Sequence, residues 1–409
     1  MIKHKTPLLL LSFLLIVFAS CKKSNVVPVS GMDLVLTPQE QQKVTSDNVF
    51  TLKLYQYLSA NNTGNSNLMV SPLSASFALA MTSNGSNGET LKAMRNALHF
   101  NGYTEDFVNS YYNKLITELP KLDPNTTLSI ANSIWYKQSF PVLPQFLQTN
   151  NNFYHAKAQA LDFSSPSAKD QINGWVNDQT KGKIPSIIDH IPDNAVMYLV
   201  NAIYFKSSWK EKFNATSTSK QDFHLSGDNT VQADFMSQII DYNTYSDNNV
   251  VIAELPYSDS KYSMVIAMPL NGTVNQLIAG IDSAKWQSWM KGLATANGQI
   301  VMPKFKFSYG ISLNDALIAL GMGNAFLKGA DFSRINATYP LDITDVEHKT
   351  FIEVNEDGTT AAAATSVGIG TTVVAPRPTI TFNHPFLFAI REMKSGLVLF
   401  AGTVNNPTL

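Results

Sequence analysis

The 409-residue sequence predicts an α+β fold. Three observations carry this. Helical spacing dominates the first half of the chain, strand patterns dominate after Val251, and the two do not alternate in a βαβ rhythm. Apolar residues make up 44% of the chain, enough to bury a large core, which excludes disorder over most of its length. Lys and Arg total 30 against 31 Asp and Glu, with no run of one sign, so nothing points to nucleic acid as a partner.

The amino end reads as a targeting segment. Lys3, His4 and Lys5 precede an uncharged run from Pro7 to Ala19, which ends on Ser20 and Cys21. The run is too short to span a bilayer as an ordinary helix and suits the apolar region of a secretory signal. The chain's single cysteine stands at the expected cut. This resembles a bacterial lipoprotein signal: residues 1–20 are the signal, Cys21 carries the lipid, and the mature protein sits outside the cytoplasm on a membrane. An ordinary cleaved signal is the alternative. With Cys21 so used, the folded part can hold no disulfide. Residues 21–45 have little periodicity and two prolines. They read as a tether, with an edge strand at Asp33–Leu36 as the alternative.

Residues 46–409 contain no fixed-period repeat and no proline-glycine linker, which predicts one domain. Ser46 or Asp47 is placed to cap a helix with Phe50, Leu54, Tyr57 and Leu58 on one face. Ser71-Pro72 opens a second helix, with serine as cap and proline in the first turn. Leu91, Met94 and Leu98 mark a third, and Phe107, Tyr111, Leu115 and Leu119 a fourth. Residues 128–136 alternate as a strand. Ile172, Trp175 and Val176 return to helical spacing. Met197–Phe205 is a nearly continuous apolar strand, so both its faces should be covered. Beyond Val251 the chain reads as strands, with one helix from Leu313 to Leu320.

One segment is unusual. Residues 356–378, between the strand Phe351–Asn355 and another starting near Thr379, are long for a connection between strands. There is no charge from Gly358 to Pro376 and no proline from Glu356 to Ala375. At period two, one face is Thr359, Ala361, Ala363, Thr365, Val367 and Ile369, growing more apolar. The other, from Thr360, Ala362 and Ala364 to Gly370, stays small or polar. Small residues at its start would let it enter between two strands without a clash, and no proline forbids a central position. The segment is a loop that can also be a strand, and such a segment can act as a switch.

This segment and its surroundings resemble the reactive-centre loop of a serpin, and the resemblance extends over residues 46–409. Ser71-Pro72-Leu73-Ser74 is similar to the family's S-P-x-S helix start. Ile172-Asn173-Gly174-Trp175-Val176, followed by Thr180-Lys181-Gly182-Lys183-Ile184, resembles its I-N-x-W-V…T-x-G-K-I run. Leu199–Lys206 with Trp209, Pro303-Lys304-Phe305, Phe382–Phe388 and Leu399–Gly402 follow in the family's order. The resemblance implies three β-sheets, eight or nine helices, an exposed loop and a metastable, monomeric domain. It also implies suicide inhibition: a protease serine acylates the loop, the freed loop enters the central sheet as a new strand, and the tethered protease is distorted before water can release it. The driving force would be new ladder hydrogen bonds and buried side chains, and persistence of the uncleaved form would be kinetic.

By position, the resemblance assigns Glu356, Asp357, Gly358, Thr359, Thr360, Ala361, Ala362, Ala363 and Ala364 to the hinge. It assigns Glu356 and Lys304 to an ion pair at the top of the sheet near Trp209, and Ser71, Ser74, Asn201 and His348 to a polar cluster that holds the sheet shut. Counting from Glu356 puts the reactive bond at Thr372-Val373; counting back from Pro385 puts it at Val374-Ala375. Either offers a small or aliphatic residue, which suits an elastase-like or subtilisin-like serine protease better than a trypsin-like one. A serpin-fold protein that binds a partner without inhibiting is the alternative.

An enzyme reading is weaker. Ser217–Lys220, Ser246-Asp247-Asn248 and Lys394-Ser395-Gly396 spell the S-x-x-K, S-D-N and K-S-G set of penicillin-recognising serine enzymes. But Asn214–Lys220 is polar, without the buried helix in which Lys could activate Ser. No phosphate loop, cysteine cluster or H-E-x-x-H is present, and the seven histidines are scattered, so neither a cofactor nor a metal is expected.

Overall fold

The computed structural model describes residues 31–62, 66–227, 229–359 and 377–409. Helix α1 spans Pro38–Asn61, and its cap is Thr37: the hydroxyl accepts from the Glu40 N–H, while the Glu40 carboxylate accepts from the Thr37 N–H. The helix therefore begins well before the expected cap at Ser46 or Asp47, and the packed body reaches into the expected tether. The reason is physical. The first turns bury a charged pair, with Val44 the one apolar side chain buried among them. Lys43 and Asp47 are both buried and ion-paired, Tyr111 and Tyr112 each donate to Asp47 at 2.9 Å, and Lys43 lies over the Phe100 ring. A polar stripe of this kind has no apolar period to read. The alternative strand at Asp33–Leu36 does not form. Instead Asp33 pairs with Lys261 and Lys394 at 2.7 and 3.0 Å, and Leu34 is buried.

Strand β1 (Leu68–Val70) leads into α2 (Pro72–Ser83), with Ser71 as cap and Pro72 in the first turn. There follow α3 (Gly88–Ala97), α4 (Glu105–Glu118), β2 (Thr127–Lys137), α5 (Pro144–Tyr154), β3 (Lys157–Leu161), α6 (Pro166–Gln179) and β4 (Met197–Ser208). The second half contributes β5 (Ser219–His224), β6 (Thr230–Ser246), β7 (Val250–Pro256) and β8 (Tyr262–Pro269). Two helices then interrupt where only strands were expected, α7 (Val274–Ala279) and α8 (Ser283–Gly292). Helix α7, with six residues, is too short to show a period, while α8 repeats Trp286 and Trp289 at helical spacing; caps mark both starts, Thr273 with Gln276 and Asp282. Next are β9 (Ala294–Pro303), β10 (Phe305–Ser312), α9 (Asn314–Leu317), β11 (Glu347–Asn355), β12 (Gly358–Thr359), β13 (Thr379–Thr381), β14 (Phe386–Glu392) and β15 (Val398–Val404).

The described strands form two ladders. One runs β10-β11-β12-β4-β2-β3; the other runs β1-β15-β14-β8-β7-β6-β9-β13, with β5 on β6. The third expected sheet is not a separate ladder, because the long β6 serves two groups: Phe235–Thr244 pairs with β9, and Asn243–Ser246 pairs with β7. The expected strand through Gln299–Ser308 likewise breaks at Lys304, passing from one ladder to the other.

The six-stranded sheet carries the site. Its strand β4 is covered on both faces, as its continuous apolar run predicts. Ile203 and Phe205 enter the main core, while Val200 and Ala202 pack with Trp135 and with Ile172 and Val176 of α6. Asn173 ties the chain after α6 down over that outer face, accepting from the N–H groups of Ile187 and Ile188 and donating to the Ile188 carbonyl.

Candidate functional site: the seat of the hinge

Within the described residues strand β12 comprises Gly358 and Thr359, and it lies between β11 and β4. Gly358 and Thr359 pair antiparallel with Asn355 and Val354 of β11 on one side, and with Ser208 and Ser207 of β4 on the other. β11 and β4 are therefore parallel to each other, and among the described residues no ladder joins them directly. The chain turns at Glu356-Asp357 and enters this gap.

Gly358 is required by the geometry. Its φ is +148°, and a Cβ there would lie 2.1 Å from the Ser207 carbonyl oxygen. No side chain fits so close to the neighbouring backbone. Thr359 follows, 2% exposed, with its hydroxyl 2.6 Å from the Tyr257 hydroxyl. Tyr257 is buried and stacks flat on Trp209, ring centres 4.6 Å apart. Trp209 in turn donates its indole N–H to the Asn355 carbonyl at 2.9 Å and its backbone N–H to the Asp357 carbonyl at 2.8 Å. The Phe213 N–H holds the Glu356 carbonyl at 2.9 Å.

Two ion pairs flank the turn. Lys304 lies 3.1 Å from Glu356, and Lys212 lies 3.0 Å from Asp357. Burial pushes the Glu356 carboxyl up. The Thr218 hydroxyl at 2.6 Å, a backbone N–H and Lys304 outweigh it and leave the group below its ordinary range. The expected Glu356–Lys304 pair near Trp209 is thus in place. Sequence reading missed Tyr257, Thr218, Phe213 and Lys212. Tyr257 and Thr218 carried no local signal, being far along the chain from the hinge and placed by the fold alone.

The expected polar cluster is only partly assembled. His348, on β11, accepts the Ser71 N–H at Nε2 (3.0 Å). Ser71 donates its hydroxyl to the Leu399 carbonyl and accepts the Ser74 N–H. Burial lowers the His348 pKa to about 4, so the ring is neutral near pH 7 and carries its proton on Nδ1. Asn201, on β4, is not joined to this group. Its amide donates to Asn132 at 2.7 Å, and its Oδ1 is the one buried side-chain polar atom among the described residues without a partner. The cluster has two halves, one on each strand.

The remaining assignments, Thr360, Ala361, Ala362, Ala363, Ala364, Thr372, Val373, Val374, Ala375 and Cys21, lie outside the described residues. The penicillin-enzyme set does not converge on a nucleophile. Lys220 pairs with Asp234, Lys394 with Asp33, and Ser395 donates to Glu392.

Gly358 and Thr359 paired between two parallel strands of a six-stranded sheet, in an α+β domain of this topology, define a class of protein. The family model described as serpin (serine protease inhibitor) matches residues 45–407, and the chain belongs to that family, whose members are protease inhibitors rather than enzymes. Among curated relatives, a leukocyte elastase inhibitor of Xenopus laevis is 35% identical over 88% of this chain and 97% of its own. Among solved structures, the thermophilic serpin tengpin in its native state superposes with a TM-score of 0.82 at 33% identity, covering 92% of this chain and 96% of its own. Human thyroxine-binding globulin complexed with its hormone also gives 0.82, at 27% identity, over 90% of this chain and 99% of its own.

Proposed function

We propose that this chain is a suicide-type inhibitor of serine proteases, acting by insertion of its cleaved loop between β11 and β4. The observation that carries this is the seating of Gly358 and Thr359. The first two residues of the inserting strand already have antiparallel partners on both sides, so a strand growing from them keeps a fixed register. Everything that follows in the loop is small at its start and free of proline up to Ala375. Elongation adds ladder bonds and buries side chains, while cleavage removes the restraint at the far end.

The small and aliphatic residues at Thr372-Val373 or Val374-Ala375 suit a protease with a small apolar primary pocket, elastase-like or subtilisin-like. The Xenopus relative is a leukocyte elastase inhibitor, which agrees with that class. Cys21 would carry a lipid that anchors a monomeric inhibitor outside the cytoplasm. Incubation with elastase, subtilisin and trypsin tests the reading. A covalent complex that survives denaturing electrophoresis is expected with one of the first two, and a sharp rise in melting temperature is expected after loop cleavage. A stable complex with trypsin alone would remove the target class.

A second reading, binding without inhibition, is favoured by the likeness to thyroxine-binding globulin. It predicts cleavage without a trapped complex.

A further inference from the structure

Below the hinge, the ends of β4 and β11 and the segment 339–346 enclose a cavity of about 460 Å³, within the range of small-molecule sites. Its walls are largely apolar, with Ala75 and Leu79 of α2, Ile187, Ile188 and Leu341 among them. Its charged groups are one-sided, while its neutral polar groups, such as Ser74, Tyr198 and His348, include donors. Asp342, Asp345 and Glu347 stand at the mouth, and among the described residues no lysine or arginine lines it. Lys349, the next cation along β11, reaches instead toward Asp189 at 3.5 Å. Deeper in, Asn201 contributes the unpartnered buried acceptor Oδ1. Burial, a hydrogen bond with Asp345 and the charges of Asp345 and Asp189 push the Glu347 carboxyl up to about 7, and Lys349 offsets this only in part.

We propose that this cleft binds an organic ammonium ion: an apolar, ring-sized body between α2 and the strand ends, an N–H donor toward Asn201, and positive charge beside Asp345 and Glu347. An apolar space whose charged groups are all carboxylates, with an unpartnered acceptor in its wall, is complementary to a donor that is cationic. Bound there, the ligand occupies space that the far half of an inserting strand must cross. It would slow insertion and let an acylated protease escape, a consequence that rests on the mechanism proposed above.

Naphthylmethylamine, with naphthylmethanol as neutral match and naphthoate as anionic match, tests the site by calorimetry on the full mature chain at neutral pH. The amine is expected to bind about tenfold tighter than the alcohol, and the acid not at all. D345N/E347Q should bring the amine to the level of the alcohol. A78W, which fills the cavity from α2, should abolish binding of both while the chain still melts cooperatively. Equal binding of all three probes, no binding, or amine binding unchanged by D345N/E347Q would overturn the proposal. Loop-cleaved protein separates this site from the insertion mechanism. If cleavage raises the melting temperature and the amine still binds, the site is not in the cleft. If cleavage changes neither, insertion fails and the cleft stands.

Discussion

The top and the middle of the six-stranded sheet are built differently. At the top, around Glu356–Thr359, each side-chain hydrogen bond closes on another: Trp209 on Asn355, Tyr257 on Thr359, Thr218 and Lys304 on Glu356, Lys212 on Asp357. In the middle, His348 and Asn201 face different partners, one buried oxygen is left unpaired, and a cavity separates the strand ends. One region fixes where a strand begins; the other leaves room for it to continue. A closed, fully satisfied sheet would bar insertion, and a sheet open throughout would leave its register free. Under the proposed mechanism, this contrast would put the specificity of insertion at the hinge and its driving force below.

The largest test of this contrast is Thr359→Arg. It would set an unpaired charge against Tyr257 in a site that is 2% exposed. Covalent complex on denaturing gels should fall to background while loop cleavage continues; undiminished trapping would contradict the mechanism. Gly358→Ala comes next. A methyl 2.1 Å from the Ser207 oxygen cannot stay, so the hinge should leave the sheet at a cost of about 1–3 kcal/mol, read from thermal unfolding. Tyr257→Phe strands the buried Thr359 hydroxyl and should cost about 1–3 kcal/mol at most, with a change in Trp209 fluorescence. An unaltered melting curve would show that this contact does not hold the hinge.

In the middle, pH is the probe. His348 titrates near 4 in the native state, against an ordinary value of 6.5. Below the ordinary value the unfolded chain takes a proton that the native chain refuses. Stability should thus fall as pH drops from about 6.5 toward 4, by up to about 1.4 kcal/mol per pH unit from this group. His348→Gln should flatten that slope in denaturant titrations. The smallest effect is at the exposed edge of the hinge. Lys304→Gln should cost under about 1 kcal/mol and lose its effect at high salt. The Glu356 contribution, present above the ordinary carboxylate range, should disappear as pH falls through its lowered value.

Much of this was legible in residues. The Ser71-Pro72 helix start, the doubly covered β4 and the Glu356–Lys304 pair all follow from local chemistry or from family-like motifs. The start of α1 was written in its cap, Thr37-Pro38 with Glu40, but not in its periodicity, because Lys43 and Asp47 are buried as a pair and break the apolar stripe. Helix α7, at six residues, was too short to show a period, whereas α8 showed one only through Trp286 and Trp289. Tyr257 was invisible because its partner Thr359 lies 102 residues away.

By itself the sequence determined the class of fold and the hinge's composition: which residues are small enough, and free enough of proline and charge, to become a strand. Those are properties of single side chains and their spacing. Only the tertiary structure decided how far the hinge is already seated, which partner His348 takes, and where space remains between β4 and β11. These depend on distances between segments remote in the chain, which packing sets and no local pattern encodes.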